Sequence, residues 1–299
     1  MRIHFSNVNF SSSSGPNSFA GRLAHALAGR GHQIVNARDP YDVFLAFIEP
    51  SSEPREGARY IQRLDGIWFK PEQFHTHNRR IRKTYDRCDH VVFQSQFDKE
   101  MIEHHWDSRP SSVIHNGIGM VEHAPANIMS KVGRVFVCSS NWHPQKRLSE
   151  NVRLFQLIRQ EGDILFVLGS HPDVSLDPAR GEHYVGSVSH ADCLSIFRRA
   201  DWMIHLAWLD HCPNVVVEAM SQGTPVICAA SGGTRELVGD EGVVIPEVRE
   251  YRFELTDYDD PPPVDLTRFV LPAPPVVNPS RFDIQRVVDR YEKVFLGDQ

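Results

Sequence analysis

The feature that most constrains this chain is an alternation that runs along its length and starts twice. "RIHFSNV" reads as a short strand, "SSSSGPNS" supplies turn and capping residues, and Phe19, Leu23 and Leu27 then recur at helical spacing. Gly29 and Gly31 are placed to close that helix. "HQIVNA", "DVFLAFI" and "HVVFQS" are further β-rich runs, and 96 to 106 reads as a helix. After residue 120 the pattern restarts with "RVFVCSS", "DILFVLGS", "HYVGSV", "WMIHLA", "TPVICAA" and "GVVIP". Helices are expected near 147 to 160, 190 to 199 and 214 to 222. Strands alternating with helices predict parallel sheets covered by helices, here an α/β chain of two successive Rossmann-like units.

The expected limits are 1–122 for the first unit and 123–280 for the second, with the boundary in "MVEHAPANIMSK", 120 to 131. Residues 259 to 280 hold too many prolines for a helix or a central strand and predict an irregular, stiff segment. A last helix is expected over 281–299, where Phe282, Val287, Val288, Tyr291 and Phe295 form an apolar stripe. That stripe has to be buried, and the first unit is one place for it.

Composition narrows the classes. Lys plus Arg is 32 against 38 for Asp plus Glu, a formal net charge of -6, which argues against a nucleic acid as the main partner. The five cysteines are odd in number and lack CxxC spacing, so neither a disulfide framework nor a zinc ribbon is indicated. The 16 histidines form no HExxH or Cys/His ligand set, and no metal ligand is assigned. "MRIHFSNVNF" lacks the pattern of a signal peptide and no apolar run suffices to span a bilayer, so a cytoplasmic location is expected. "HNRRIRKTYDR", 77 to 87, is a basic helix without a bulky apolar face, consistent with at most peripheral membrane contact and better read as a solvated face.

Three strand-to-helix loops can carry chemistry, because ligands of open α/β sheets bind beyond the carboxyl ends of the strands. In the first, Gly15 allows close backbone approach ahead of a helix N-terminus, although a plain serine-capped turn explains it as well. In the second, "SSNWHPQKR", Lys146 and Arg147 stand where cations are unfavourable unless an anion is bound, the alternative being two solvated charges. In the third, "DHCPNVVVEAM", Asp210 precedes the helix expected near 214 to 222, with Pro213 near its start and Asn214 as its cap, and Glu218 follows one turn inside. Carboxylates on either side would accept from hydroxyls while amides of residues 213 to 215 donate to phosphate.

"DHCPNVVVEAMSQGTPVICAASGGTRELVG" resembles the signature of the family-4 glycosyltransferases, retaining enzymes of the GT-B fold. Their E-x7-E motif is matched by Asp210 and Glu218. "GPNSFAGRLAHALAGRGHQIV", "IQRLDGIWF", "VVFQSQFDKEMI", "VIHNGI" and "WHPQKRL" also fit, in order, over most of 1 to 245. The resemblance implies two domains facing one another across a cleft, the second holding a nucleoside-diphosphate sugar and the first an acceptor, whether carbohydrate, lipid-linked or protein. It assigns Asp210 to the donor sugar, Glu218 to the ribose, and the amides near Pro213, Asn214 and Val215 to phosphates. Lys146 with Arg147 would neutralise the diphosphate, Val188 would pack the nucleobase, and Gly15 matches the glycine-rich first loop. Arg63 and Asp65 match a polar position of the first domain near the reacting carbon, though a turn cornered at Asp65 and Gly66 explains them equally.

Two positions depart from the pattern: the first acid is Asp210 rather than Glu, and the family's arginine six residues before the lysine falls on Ser140. The implied reaction is sugar transfer to a hydroxyl with retention, needing no metal and no acid and nucleophile pair. A sugar-nucleotide epimerase, a phosphorylase and an inactive nucleotide- or carbohydrate-binding protein stay open as alternatives. A dehydrogenase is disfavoured because GxGxxG is missing.

Overall fold

The computed structural model describes residues 1–12, 14–119, 133–170 and 174–298. The chain divides into two compact units, Met1–Met120 with Phe253–Thr256 and Phe282–Gln299, and Val121–Arg252 with Asp257–Arg281. The expected limit between 122 and 123 lies outside the described residues.

The first unit is a six-stranded parallel sheet of β1 (Arg2–Ser6), β2 (Gln33–Val35), β3 (Val43–Phe47), β4 (Arg59–Leu64), β5 (His90–Phe93) and β6 (Ser111–Val113). Its order is β2-β1-β3-β4-β5-β6. All five residues of β3, "VFLAF", are buried, as befits a parallel strand covered on both faces. Helices α1 (Gly15–Gly29), α2 (Pro71–His77), α3 (Arg79–Arg87) and α4 (Gln96–His105) connect the strands. Gly31, at φ 85, takes the left-handed conformation that ends α1, and His32 N returns to Leu27 O at 3.2 Å.

Two expectations change here. β4 falls in "YIQRLDG", where the buried polar pair Gln62 and Arg63 breaks the apolar pattern of a central strand. The basic helix begins at Arg79 rather than 77, because Asn78 separates it from α2. The Asn78 side chain clamps the Trp68 backbone, accepting from N at 2.9 Å and donating to O at 2.6 Å. Its cations are laced to acids, Arg82 to Asp86 and Arg87 to Glu53, which makes it a solvated charged face.

The second unit contains β7 (Val135–Ser140), β8 (Ile164–Gly169), β9 (Glu182–Gly186), β10 (Trp202–His205), β11 (Val226–Ala229) and β12 (Val243–Ile245). They form a parallel sheet of order β12-β11-β10-β7-β8-β9. Helices α5 (Leu148–Ile158), α6 (His190–Arg199), α7 (Asn214–Ser221) and α8 (Thr234–Val238) cover it. Phe136, Phe155, Leu165, Trp202, Ile204 and Ile227 make its core, each such side chain being worth about 1.5–3 kcal/mol when fully buried. The proline-rich segment forms no α-helix or strand and ends in a 3-10 turn, Pro279–Phe282. It contributes Val264 and Leu266 to this core through an isolated bridge between Glu247 and Val264.

The last helix, α9 (Ile284–Leu296), shares a core with the first unit, where Ile284, Val288 and Tyr291 pack with Phe19, Leu23 and Leu27 of α1. The approach is close at Gly117, where a Cβ would lie 2.7 Å from Val287 Cγ2. Among the described residues no helix is long and apolar enough to cross a membrane.

Each sheet has one place where the direction of strand addition reverses. In the second unit it lies between β7 and β10, and in the first between β1 and β3. Loops leaving the carboxyl ends of neighbouring strands diverge at such points and leave a crevice.

Candidate functional site

The crevice of the second unit is built by the loops after β7, β10 and β11. After β7 a 3-10 turn, Pro144–Lys146, ends at Lys146, and Arg147 then takes a left-handed conformation (φ 51) that turns the chain into α5. Asn151 of α5 donates to Lys146 O at 3.1 Å and accepts from Leu206 N at 3.1 Å, and Trp208 N donates to Gln145 O at 2.7 Å. The two loops are thereby tied together by one main-chain bond and by the Asn151 side chain. On them, Lys146 Nζ donates to Asp210 Oδ2 at 2.5 Å.

His205, the last residue of β10, also reaches this carboxylate, with Nε2 at 3.2 Å from Oδ2 and a side chain only 4% exposed. Burial alone pushes the Asp210 carboxyl up, but the Lys146 charge and the His205 hydrogen bond reverse this and hold it well below the usual carboxylate range. Asp210 is therefore an ionised acceptor at neutral pH. It can receive hydrogen bonds from ligand hydroxyls and cannot deliver a proton to a leaving group.

The loop after β11 supports Asp210 from behind. Gly233 N donates to Asp210 O at 2.7 Å, and Gly232 sits at φ 90 so close that a Cβ would lie 2.6 Å from that oxygen. Only glycine meets both conditions.

Arg147 does something other than the expected partnership with Lys146. Its guanidinium is turned into the protein, with Nη1 and Nη2 each 3.0 Å from the Glu247 carboxylate and further bonds to Leu206 O and Pro262 O. The pair is 2% and 4% exposed, and the guanidinium lies 5.9 Å from the Trp208 ring centroid. Glu247 in turn accepts from Ser231 Oγ in the loop after β11. Arg147 thus braces the loops that present Lys146 and Asp210, and both of its Nη groups are committed to the protein.

At α7, Pro213 is the residue preceding the helix and Asn214 is its first helical residue, so Asn214 is not the cap. Pro213 has no N–H, which removes it from the expected amide donors. Val216 and Val217 donate back to Pro213 O at 3.1 and 3.2 Å. The N–H groups of Asn214 and Val215 are those that a helix start turns outward. Glu218 lies one turn in, 8% exposed, with Oε1 3.3 Å from His190 Nε2 at the start of α6. Val188 is half-buried two residues before His190, in the β9–α6 connection. Cys193 of α6 has its thiol pushed up to about 12, by burial first and then by the Glu218 charge.

In the first unit, Arg63 and Asp65 form an ion pair at the end of β4. Arg63 is 1% exposed, its guanidinium carbon 4.4 Å from the Phe19 ring centroid and 5.1 Å from that of Phe47. Nη2 donates to Asn116 Oδ1 at 2.7 Å, and Gln94 Nε2 donates to Asp65 O at 2.9 Å. Arg63 is thus a buried holder of Asp65. Gly15 is the first residue of α1, behind Ser14. Among the described residues no group of three or more His, Cys, Asp or Glu side chains could hold a metal ion.

Sequence reading did not pick out His205, His190 or Gly232. His205 lies inside the expected strand "WMIHLA", and only the observed end of β10 puts it at the carboxyl-end position, five residues before Asp210, from which a side chain enters the crevice. His190 and Glu218 meet only through the packing of α6 on α7.

Residues 133–254, which carry Lys146, Asp210 and Glu218, match the family model of glycosyl transferases group 1. No curated protein matches the chain by sequence. Among solved structures, Anabaena HepE in complex with UDP-glucose is similar at TM-score 0.67 and 15% identity, over 99% of this chain and 100% of that one. AviGT4, a glycosyltransferase involved in avilamycin A biosynthesis, is similar at TM-score 0.64 and 15% identity, over 99% and 98%. Sucrose-phosphate synthase from Thermosynechococcus elongatus is similar at TM-score 0.63 and 15% identity, over 82% and 86%. Two parallel six-stranded sheets with flanking helices, matched along 82% to 99% of the chain by these structures, give this protein the two-domain α/β GT-B fold.

Proposed function

We propose that the protein is a retaining glycosyltransferase that moves a hexose from a nucleoside-diphosphate sugar to an acceptor hydroxyl. The observation that carries this reading is the Lys146–Asp210 pair at the strand-order reversal between β7 and β10. A cation and a carboxylate held ionised at neutral pH, fixed side by side, suit a ligand with an anionic diphosphate joined to a hydroxyl-rich ring.

In this reading Lys146 turns to the diphosphate and Asp210 to the sugar hydroxyls, with the Asn214 and Val215 amides donating to phosphate oxygens. Glu218 takes the ribose, Val188 lies against the base, and Gly15 lets the backbone of the first unit approach. The bond between the anomeric carbon and the diphosphate oxygen breaks while the acceptor oxygen bonds to that carbon from the same face. The acceptor proton passes to the departing phosphate. Charge growing on the diphosphate is stabilised by Lys146 and the amides, which the step uses in place of a metal. Asp65, held by Arg63, is assigned to the acceptor side of the reacting carbon. Arg147 positions Lys146 through the loop brace.

UDP-glucose is the first donor to try, since HepE was crystallised with it. Thermal-shift measurements with UDP, GDP and ADP test the reading: a nucleotide present at about 100 times its Kd adds about 2.7 kcal/mol of stability. Release of that diphosphate only with an acceptor, and a product anomer matching the donor by NMR, are the expected results. Stabilisation by none of the three would overturn it.

A further inference from the structure

The first unit carries a cavity of about 670 Å3 at the carboxyl ends of β1 and β2, within the range of small-molecule sites. Its polar lining is amides and hydroxyls: Asn7, Asn9, Asn17, Asn36 and Ser51. Among the described residues no Asp, Glu, Lys or Arg lines it. The lining residue His4 is 8% exposed and has Nδ1 3.0 Å from Val35 O.

The amides are held by one end and offer the other. Asn7, at φ 62, donates from Nδ2 to Phe47 O at 3.0 Å, which leaves Oδ1 as an acceptor. Asn9 accepts from Ser11 N through Oδ1 at 3.0 Å, which leaves Nδ2 as a donor. Asn17 is spent on the loop itself, accepting from Asn9 N at 2.9 Å and donating to Ser14 Oγ at 2.8 Å. The Asn36 side chain has no hydrogen-bond partner among the described residues. Beside them Phe10 is 54% exposed, steadied by Phe5 with ring centroids 6.0 Å apart.

We propose that this cavity binds the acceptor and that the acceptor is an uncharged saccharide, presenting vicinal hydroxyls to Asn7, Asn9 and Asn36 and an apolar ring face to Phe10. The assignment as acceptor rests on the transferase reading; the ligand class rests on the cavity. Sugar hydroxyls both donate and accept, which fixed amide ends of both kinds match. A phosphate or carboxylate entering here would lose water without meeting a cation among the described lining residues.

Saturation-transfer NMR on the full chain tests this with methyl α-glucoside, methyl α-galactoside and methyl α-mannoside against glucose 6-phosphate and glucuronate. UDP-induced thermal stabilisation is measured on the same samples. At least one neutral glycoside is expected to bind, with affinity falling about tenfold in Phe10→Ala and in Asn9→Leu while stabilisation by UDP is unchanged, an effect of the size expected from one lost hydrogen bond or ring contact. Charged probes binding as well as neutral ones, neutral binding that survives both substitutions, or no binding of any probe would overturn the proposal and leave the donor reading standing where UDP still stabilises. Neutral binding that needs Phe10, in a chain that no nucleotide stabilises, would instead overturn the transferase reading and with it the acceptor role.

Discussion

Lys146 Nζ and Asp210 Oδ2 meet at 2.5 Å although 64 residues separate them in the chain. They meet because β7 and β10 are hydrogen-bonded neighbours and the loops leaving both are tied by Trp208 N to Gln145 O. Removing either partner therefore changes the charge the other faces. Lys146→Ala should weaken diphosphate binding by about 10- to 100-fold, the worth of a charge-assisted hydrogen bond of about 1.5–3 kcal/mol. Asp210→Ala should lower transfer more than nucleotide affinity, since its assigned contact is with the sugar. Calorimetric titration of UDP and a steady-state assay of each variant separate the two effects.

The depressed pKa of Asp210 makes a pH prediction. A carboxylate whose folded pKa lies below its unfolded value of about 3.9 contributes stability that is present above that value and lost as pH falls towards the folded pKa. The stability gap between wild type and Asp210→Asn should be constant from about pH 8 to pH 5 and narrow below about pH 4. Urea denaturation at several pH values measures it. A gap that closes between pH 5 and 7 would mean that Asp210 titrates there and is not held ionised.

Arg147 should behave as a buried structural cation. Arg147→Ala strands the Glu247 carboxylate, 4% exposed, beside Ser231. Breaking a buried pair in this way costs about 3–5 kcal/mol, against about 0.5 kcal/mol for a solvated surface arginine. Equilibrium unfolding distinguishes the two, and a cost near the lower figure would show that the guanidinium is free to face a ligand.

Gly232→Ala tests the support behind Asp210. The added methyl would meet Asp210 O at 2.6 Å from a backbone at φ 90, so the loop after β11 has to withdraw. Transfer should fall while nucleotide binding through α7 is kept. Unchanged kcat in Gly232→Ala would show that the Asp210 main chain tolerates displacement.

The thiols give a reactivity prediction. Burial pushes Cys88 and Cys228 up to about 12, as it does Cys193. At pH 8 a thiol-exchange reagent should leave these three unmodified in the native protein and react with them after unfolding, because the thiolate is the reactive form.

Much of the second unit was legible in the sequence. Its six apolar runs became β7 to β12, because buried parallel strands need continuous β-branched and aromatic residues and turn residues mark their ends. The pairing of Lys146 with Asp210 was not legible, since strand order is a long-range property. "SSNWHPQKR" and "DHCPNVVVEAM" say that two loops follow two strands, and not that the strands are neighbours. The inward turn of Arg147 was hidden for a related reason: a left-handed residue gives no sign in an arginine codon, and its partner Glu247 lies 100 residues away. β4 was obscured by Gln62 and Arg63, polar residues whose partners in the interior, Ile81 O for Gln62 Nε2 and Asn116 Oδ1 for Arg63 Nη2, lie far along the chain. The sequence by itself determined the α/β class, the loops where chemistry can sit and the residue types in them, because periodicity and turn chemistry are local. Tertiary structure decided which charges face each other and which are spent on the scaffold, because ion pairs and burial depend on which distant strands lie side by side.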